Sequence, residues 1–167
     1  MMKWVTLVNK KSYEFIARIP MQKRKVLFLC TGNSCRSQMA EAIVNSLLKE
    51  EWEAVSAGTH PNGTIHPKVI QVLQEIGIQH SGKSKNVSEF RTVQFDLIVI
   101  VCDSAAEECP VWLGAGRKLH SSFPDPAKIT GNEEEILAAF RQVRDSIAEK
   151  IPQLLLLSWE ICLLKLT

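Results

Sequence analysis

Val26-Leu27-Phe28-Leu29 is an unbroken apolar run that starts after Lys25 and ends at Cys30. A short run without alternation is the pattern of a strand buried on both faces of a parallel sheet, so residues 25–29 are predicted as the first strand. Past a turn through Gly32 and Asn33 the period changes. Met39, Ile43, Leu47 and Leu48 recur at helical spacing and predict a helix over about 37–49, entered near Arg36. Trp52–Ser56 reads as a second short strand, closed by Ala57-Gly58 and followed by the turn-rich His60-Pro61-Asn62-Gly63. His66-Pro67 opens a second helix, with proline at a first-turn position. It carries Val69, Ile70, Val72, Leu73 and Ile76, and Gly77 ends it. Residues 80–95 are polar and loop-like, with a short helix near 87–92.

The β-branched run Phe95–Val101 is the strongest strand signal in the chain, and it ends at Cys102. Residues 103–113 form a short helix candidate, Arg117–His120 a last short strand, and Phe123–Ala127 an irregular loop. A long helix is predicted over 132–151. Glu133–Glu135 favour its N-terminus, and Ile136, Leu137, Phe140, Val143, Ile147 and Ile151 form its apolar stripe. Pro152 is expected to stop it. This alternation predicts an α/β fold: a single domain with a four-stranded, mostly parallel sheet flanked by helices on both faces. The domain is expected over 24–152, between a basic N-terminal extension, 1–23, and an apolar C-terminal tail, 153–167. Ligands of such sheets sit at the carboxyl ends of the strands, where Cys30, Cys102 and Asp125 each follow a predicted strand.

Composition and charge narrow the picture. A chain of 167 residues suits one domain with an ordinary core. The formal net charge of +2 hides an asymmetry, because residues 1–25 hold seven Lys/Arg against Glu14 alone. The remainder is mildly acidic, which argues against a nucleic-acid face. Five cysteines without C-x2-C pairs fit neither a secreted disulfide framework nor a zinc site. The first twenty residues lack the continuous apolar core and cleavage site of a signal peptide. Leu154–Leu166 is broken by Glu160 and Lys165 and falls short of the roughly 18–20 apolar residues that span a bilayer. A cytoplasmic monomer with reduced thiols is expected.

The chemistry gathers after the first strand, at Cys30 and the loop Thr31, Gly32, Asn33, Ser34, Cys35, Arg36 and Ser37. A strand, a tight loop and a helix start aim backbone N–H groups and the helix dipole at one point, which makes an oxyanion cradle. Cys30 in that field is a nucleophile whose thiolate form is favoured. Arg36 supplies a guanidinium fork for two oxyanion oxygens. The hydroxyl of Ser37 is placed to donate to the thiolate, and Asn33 to hold the unusual loop backbone.

With its CTGNSCRSQMAE core, Val26–Glu41 resembles the phosphate loop of low-molecular-weight protein tyrosine phosphatases. It is more similar still to that of their relatives, the thioredoxin-coupled arsenate reductases. Ser56-Ala57-Gly58, His66-Pro67-Lys68, Gly77-Ile78, Cys102 with Cys109-Pro110, and Asp125-Pro126 match in order and spacing, over about residues 24–152. The resemblance implies that the loop binds arsenate, that Cys30 attacks it and that Asp125 is the general acid. It further implies that Cys102 and then Cys109 carry the resulting disulfide outward to thioredoxin, with arsenite released when the Cys30–Cys102 bond forms. Glutaredoxin stays open as the donor, and no tightly bound cofactor is implied. Some members of the family hold a potassium ion near the loop, and Asn33, Glu41 and Ser56 match positions that would contribute oxygens.

One departure bears on substrate. Ala127 and Lys128 follow Asp125-Pro126 where the phosphatases usually have tyrosines, and Tyr13 is the only tyrosine, which counts against phosphotyrosine. A phosphatase remains the alternative, needing one cysteine where a reductase needs further thiols; residual phosphatase activity is expected in either case. Cys35 is either a protective disulfide partner of Cys30 or a packed small residue. No role is assigned to Cys162, and the four histidines read as loop, cap or surface residues. Seven residues of helix rise about 10.5 Å, whereas a disulfide needs Cα atoms within roughly 7 Å. Pairing Cys102 with Cys109 would therefore unwind a helix there, and 102–113 is expected to be the mobile element and the partner-docking surface.

Overall fold

The strand that leads into the cradle, β1 (Arg24–Cys30), lies second in a four-stranded sheet. It pairs on one side with β2 (Trp52–Gly58) and on the other with β3 (Leu97–Ile100), which in turn pairs with β4 (Arg117–His120). Every pairing is parallel, with Phe28 opposite Ser56 and Val99, and Ile100 opposite His120. The computed structural model describes residues 22–102, 112 and 114–164, with side chains to 158. The predicted helix at 103–113, apart from Trp112, therefore lies outside the described residues, as do Cys109 and the chain before residue 22.

Central strands are apolar on both faces because both faces are covered. Val26, Phe28, Leu97, Val99 and Val101 point into a cluster shared with α1 (Arg36–Leu47), α2 (Pro67–Glu75) and α3 (Glu133–Leu164). Leu27, Leu29 and Ile98 face a second, smaller cluster built from Ala57, Phe95 and Trp112, with Val87, Phe90 and Val93 against it. A 3-10 turn at Val87–Phe90 supplies part of that cover. The edge strand β4 is short and mostly exposed, and its Arg117, Lys118 and His120 discourage edge-to-edge pairing.

Local chemistry sets the helix ends. His66 caps α2 by accepting from Lys68 N at 3.2 Å, Pro67 follows it, and Gly77 with φ 77° stands just past the end. Asn132 and Glu135 form a reciprocal capping box at the start of α3, with bonds of 3.0 and 2.8 Å. The end of α3 corrects the expectation from sequence. Pro152 lies inside the helix, which continues to Leu164. An interior proline loses one hydrogen bond and crowds the preceding turn, at a cost of about 3 kcal/mol. Against this, Leu155 extends the Ile147 and Ile151 stripe and is fully buried. Burying one leucine is worth about 1.5–3 kcal/mol, so packing offsets most of the cost.

Candidate active site

Cys30 is the last residue of β1 and is almost fully buried. Its Sγ accepts from Asn33 N at 3.1 Å and lies 2.9 Å from Ser37 Oγ, as the loop sequence suggested. Asn33 is the only non-glycine of positive φ among the described residues, at 46°, a conformation that asparagine tolerates better than most. Its side chain is locked. Nδ2 donates to Ser37 Oγ at 2.9 Å and Ser56 Oγ at 2.8 Å, while Oδ1 accepts from Gln38 Nε2 at 3.0 Å and Lys85 N at 2.7 Å.

Neighbouring segments take up the loop's carbonyls. Thr31 O accepts from His60 N, Gly32 O from Asn62 N and from Ser84 Oγ, and Ser34 O from His66 N, all at 2.9–3.1 Å. With those oxygens engaged from outside, the loop is left to present N–H groups inward. The start of α1 carries no side-chain cap at Cys35, the arrangement in which first-turn N–H groups serve an anion. Close approach makes glycine necessary at the end of β2: a Cβ on Gly58 would stand 2.4 Å from Thr31 O.

Arg36 is buried at the first position of α1. Its Nη1 donates to Phe123 O at 3.3 Å and its Nη2 to Asp125 Oδ2 at 2.9 Å. The other oxygen of Asp125 accepts from Ala127 N at 3.1 Å, capping the 3-10 turn Pro126–Lys128. Loop and turn face each other across an open cleft of about 440 Å³, floored by Cys30, Thr31, Gly32, Ser34, Cys35 and Arg36 and rimmed by His60, Asn62, Asp125, Ala127 and Lys128. Among the described residues the rim carries no phenol or indole. Cys35 lines the same cleft, yet burial chiefly, with the nearby Asp125 and Cys30 adding to it, pushes its thiol up from 9.0 to about 12. It is a packed thiol at neutral pH. His66, whose ring lies tilted 4.7 Å from that of Phe140, is held below its usual range, first by burial and then by Lys68.

Cys102 is fully buried and belongs to the same apolar cluster as Cys30 and Cys35. Val101 N donates to Leu29 O at 2.8 Å, so Cys102 leaves the sheet beside the point where Cys30 leaves it. His120 Nε2 lies 2.9 Å from the Cys102 carbonyl. Asn33, Glu41 and Ser56 are also brought together. Ser56 Oγ donates to Glu41 Oε2, and Lys85 Nζ closes on the same carboxylate at 3.0 Å.

Sequence reasoning missed the brace behind the loop. Gln38 Nε2 reaches Asn33 O, Asn33 Oδ1 and Lys83 O, and its Oε1 is held by His80 Nε2 at 2.7 Å. Gln38 had a usable signal, since a polar residue in the first helical turn after such a loop is too close to it to face solvent. His80, Ser84 and Lys85 had none, because they arrive from a distant polar stretch without periodicity.

Residues 25–161 match the family model described as low molecular weight phosphotyrosine protein phosphatase. The chain belongs to that family. Within it, the chain is 42% identical to an arsenate reductase of Halalkalibacterium halodurans over 132 residues, 78% of this chain and 94% of the relative. It is 37% identical to an arsenate reductase of Bacillus subtilis over 134 residues, 80% of this chain and 96% of the relative. Among solved structures, the arsenate reductase of Archaeoglobus fulgidus superposes with a TM-score of 0.57 at 33% identity, covering 74% of this chain and 99% of the other. The family resemblance read from the loop holds, and so does the four-stranded parallel architecture read from the alternation of strands and helices. Among the described residues, no helix is long and apolar enough to cross a membrane.

Proposed function

We propose that this phosphatase-family protein reduces arsenate to arsenite through a Cys30–Cys102–Cys109 relay regenerated by thioredoxin. Arsenate enters the cleft and meets the inward N–H groups of the loop, and Arg36 turns its fork from Asp125 to the oxyanion. Asp125, freed from the guanidinium, stands over the oxygen that must leave. Cys30 Sγ attacks arsenic, an arsenic–oxygen bond breaks, and Asp125 gives the departing oxygen its proton. Cys102 Sγ then attacks Cys30 Sγ. The electron pair of the sulfur–arsenic bond stays on arsenic, which falls from the +5 to the +3 state and leaves as arsenite while the Cys30–Cys102 disulfide forms. Cys109 attacks Cys102 and releases the Cys30 thiolate. An external dithiol reduces the Cys102–Cys109 bond and restores the start.

The observation that carries this reading is the position of Cys102: a fully buried thiol, packed in the same cluster as the nucleophile, at the end of the adjacent strand. The arsenate reductase relatives at about 40% identity support the same reaction. A rim that among the described residues has no phenol or indole suits a small inorganic oxyanion better than an aryl ester. Thioredoxin is favoured over glutaredoxin because the relay ends in an internal disulfide, and the reading places a monomeric enzyme in the reducing cytoplasm.

Phosphate-ester hydrolysis is the second reading, favoured by the convergence of Cys30, Arg36 and Asp125 alone. Arsenate-dependent NADPH oxidation, coupled through thioredoxin and thioredoxin reductase, separates the two. Wild type is expected to turn over. Cys102→Ser and Cys109→Ser should each abolish that turnover while sparing hydrolysis of p-nitrophenyl phosphate, and arsenate turnover undiminished by either change would sink the relay. A parallel assay with glutathione and glutaredoxin identifies the donor.

A further inference from the structure

The three residues that the family resemblance marks for potassium do sit together, but their donor set does not fit a cation. Asn33 Oδ1 is turned away, accepting from the backbone N–H of Lys85 at 2.7 Å, which only donates. The face Asn33 shows to Ser56 is therefore its amide N–H group, a donor. Ser56 gives its hydroxyl proton to Glu41. Glu41 alone offers negative charge, and Lys85 Nζ meets it at 3.0 Å on one oxygen and 3.4 Å on the other. Both side chains are largely enclosed, at 15% and 12% exposure.

We propose that Lys85 is the loop's built-in cation: its ammonium holds the place that potassium would take, and the protein neither binds nor needs potassium there. Lys85 acts as a positioning residue, through Glu41 to Ser56, from Ser56 to Asn33, and from Asn33 to Ser37 and Cys30. Its backbone is fixed at both ends, since its N–H holds Asn33 and its carbonyl accepts from Gly58 N at 2.9 Å. The ammonium thus starts from a rigid base, and little chain entropy is lost in placing it. A carboxylate as enclosed as Glu41 is costly without a positive partner, so removing the ammonium leaves a site that recruits one from solution. This inference concerns the support of the loop and is independent of which electrophile Cys30 attacks.

The test is the thermal midpoint of wild type, Lys85→Ala and Lys85→Arg in potassium chloride and in choline chloride at equal ionic strength. Apparent affinity for inorganic phosphate is taken from the shift of the same midpoint. Wild type and Lys85→Arg should give the same values in both salts. In choline chloride Lys85→Ala should melt about 5–10 °C lower and bind phosphate more weakly. Potassium should restore most of both losses, and a Glu41→Gln, Lys85→Ala double variant should ignore the choice of salt. A wild-type midpoint that rises specifically with potassium overturns the proposal. So does a Lys85→Ala protein as stable as wild type, or one whose loss potassium does not repair, since a merely structural lysine has no reason to be replaced by a dissolved ion. If Lys85→Ala fails to fold, the wild-type salt comparison and Lys85→Arg decide alone.

Discussion

Cys30 and Cys102 leave neighbouring strands of one sheet, yet what surrounds them differs in kind. Around Cys30 the structure is polar and over-determined: Asn33 alone makes four side-chain hydrogen bonds, and outside donors take the carbonyls of Thr31, Gly32 and Ser34. On the Cys102 side the order comes from apolar packing. Cys102 lies in the main cluster, and Trp112, where the described chain resumes, is buried edge-on against Phe95 at 5.9 Å with its Nε1 donating to Ala115 O. Hydrogen bonds fix directions, as an oxyanion cradle requires. Packing fixes position without fixing direction, and it is what holds Cys102 and Trp112 in place. The proposed relay, in which one thiol meets the oxyanion and another takes over the disulfide, would have use for both materials.

The comparison breaks most visibly if the two sides prove to be one cooperative unit. Trp112→Ala removes a buried indole and should cost about 3–5 kcal/mol in chemical denaturation, while inorganic phosphate still binds the loop with near wild-type affinity. A matching fall in phosphate affinity would show that the packing side also shapes the cradle. Asn33→Ala is the converse. It strips the side-chain bonds to Ser37, Ser56, Gln38 and Lys85 and leaves alanine at φ 46°, which costs about 1–2 kcal/mol by itself. A midpoint lower by roughly 5–12 °C and a loss of phosphate binding are expected. Asn33→Gly, free of the dihedral strain, should recover part of the stability and little of the binding.

That contrast also separates what the sequence made legible from what it did not. Continuous apolar runs announced β1 and β3, and the Thr-Gly-Asn-Ser loop between strand and helix announced the cradle, because those signals are local. Cys30, Arg36 and Asp125 line one cleft; the first two were singled out by the loop's own chemistry, and Asp125 by the family resemblance. The brace is non-local. Lys85 reaches Glu41 across 44 residues and His80 reaches Gln38 across 42, and nothing in a polar stretch says which of its members folds back onto the loop. Pro152 failed in the opposite direction: a strong local rule was overruled by tertiary packing at Leu155.

Within the loop itself, the two buried thiols sharpen the contrast between the proposed nucleophile and a packed neighbour. Burial first, then Asp125 and Cys30, raise Cys35 from 9.0 to about 12. An acid whose folded value lies above its unfolded one keeps its proton in the native state while the unfolded chain gives it up. Its contribution is therefore present below pH 9 and is lost as pH rises toward 12, by up to about 1.4 kcal/mol per pH unit. Cys35→Ala should flatten that alkaline slope. At pH 8 iodoacetamide should modify Cys30 and leave Cys35 intact, as peptide mass mapping would show.

The smallest expected effect lies in the brace. His80 is held below its ordinary value, first by burial, with Lys85 adding to the shift and Glu41 opposing it. Gln38 Oε1 faces His80 Nε2, and the amide nitrogen of that glutamine is already committed to Asn33 and Lys83, so the imidazole nitrogen is the donor and the ring is neutral. A base whose folded value is depressed binds fewer protons in the native state than in the unfolded one. Stability therefore falls as pH drops below about 6.5 and levels off only once the native imidazole is itself protonated. His66 is depressed too and contributes with the same sign. His80→Gln, which keeps a donor toward Gln38, should lose less stability than wild type between pH 7 and pH 5 while retaining the His66 share. The same titration followed by amide exchange distinguishes the two sides of the cleft. Acid should loosen Asn33 and Lys85, which the brace holds, before it loosens Phe95 and Leu97, which packing holds, and simultaneous release of both would mean that the polar lattice and the apolar cluster open as one.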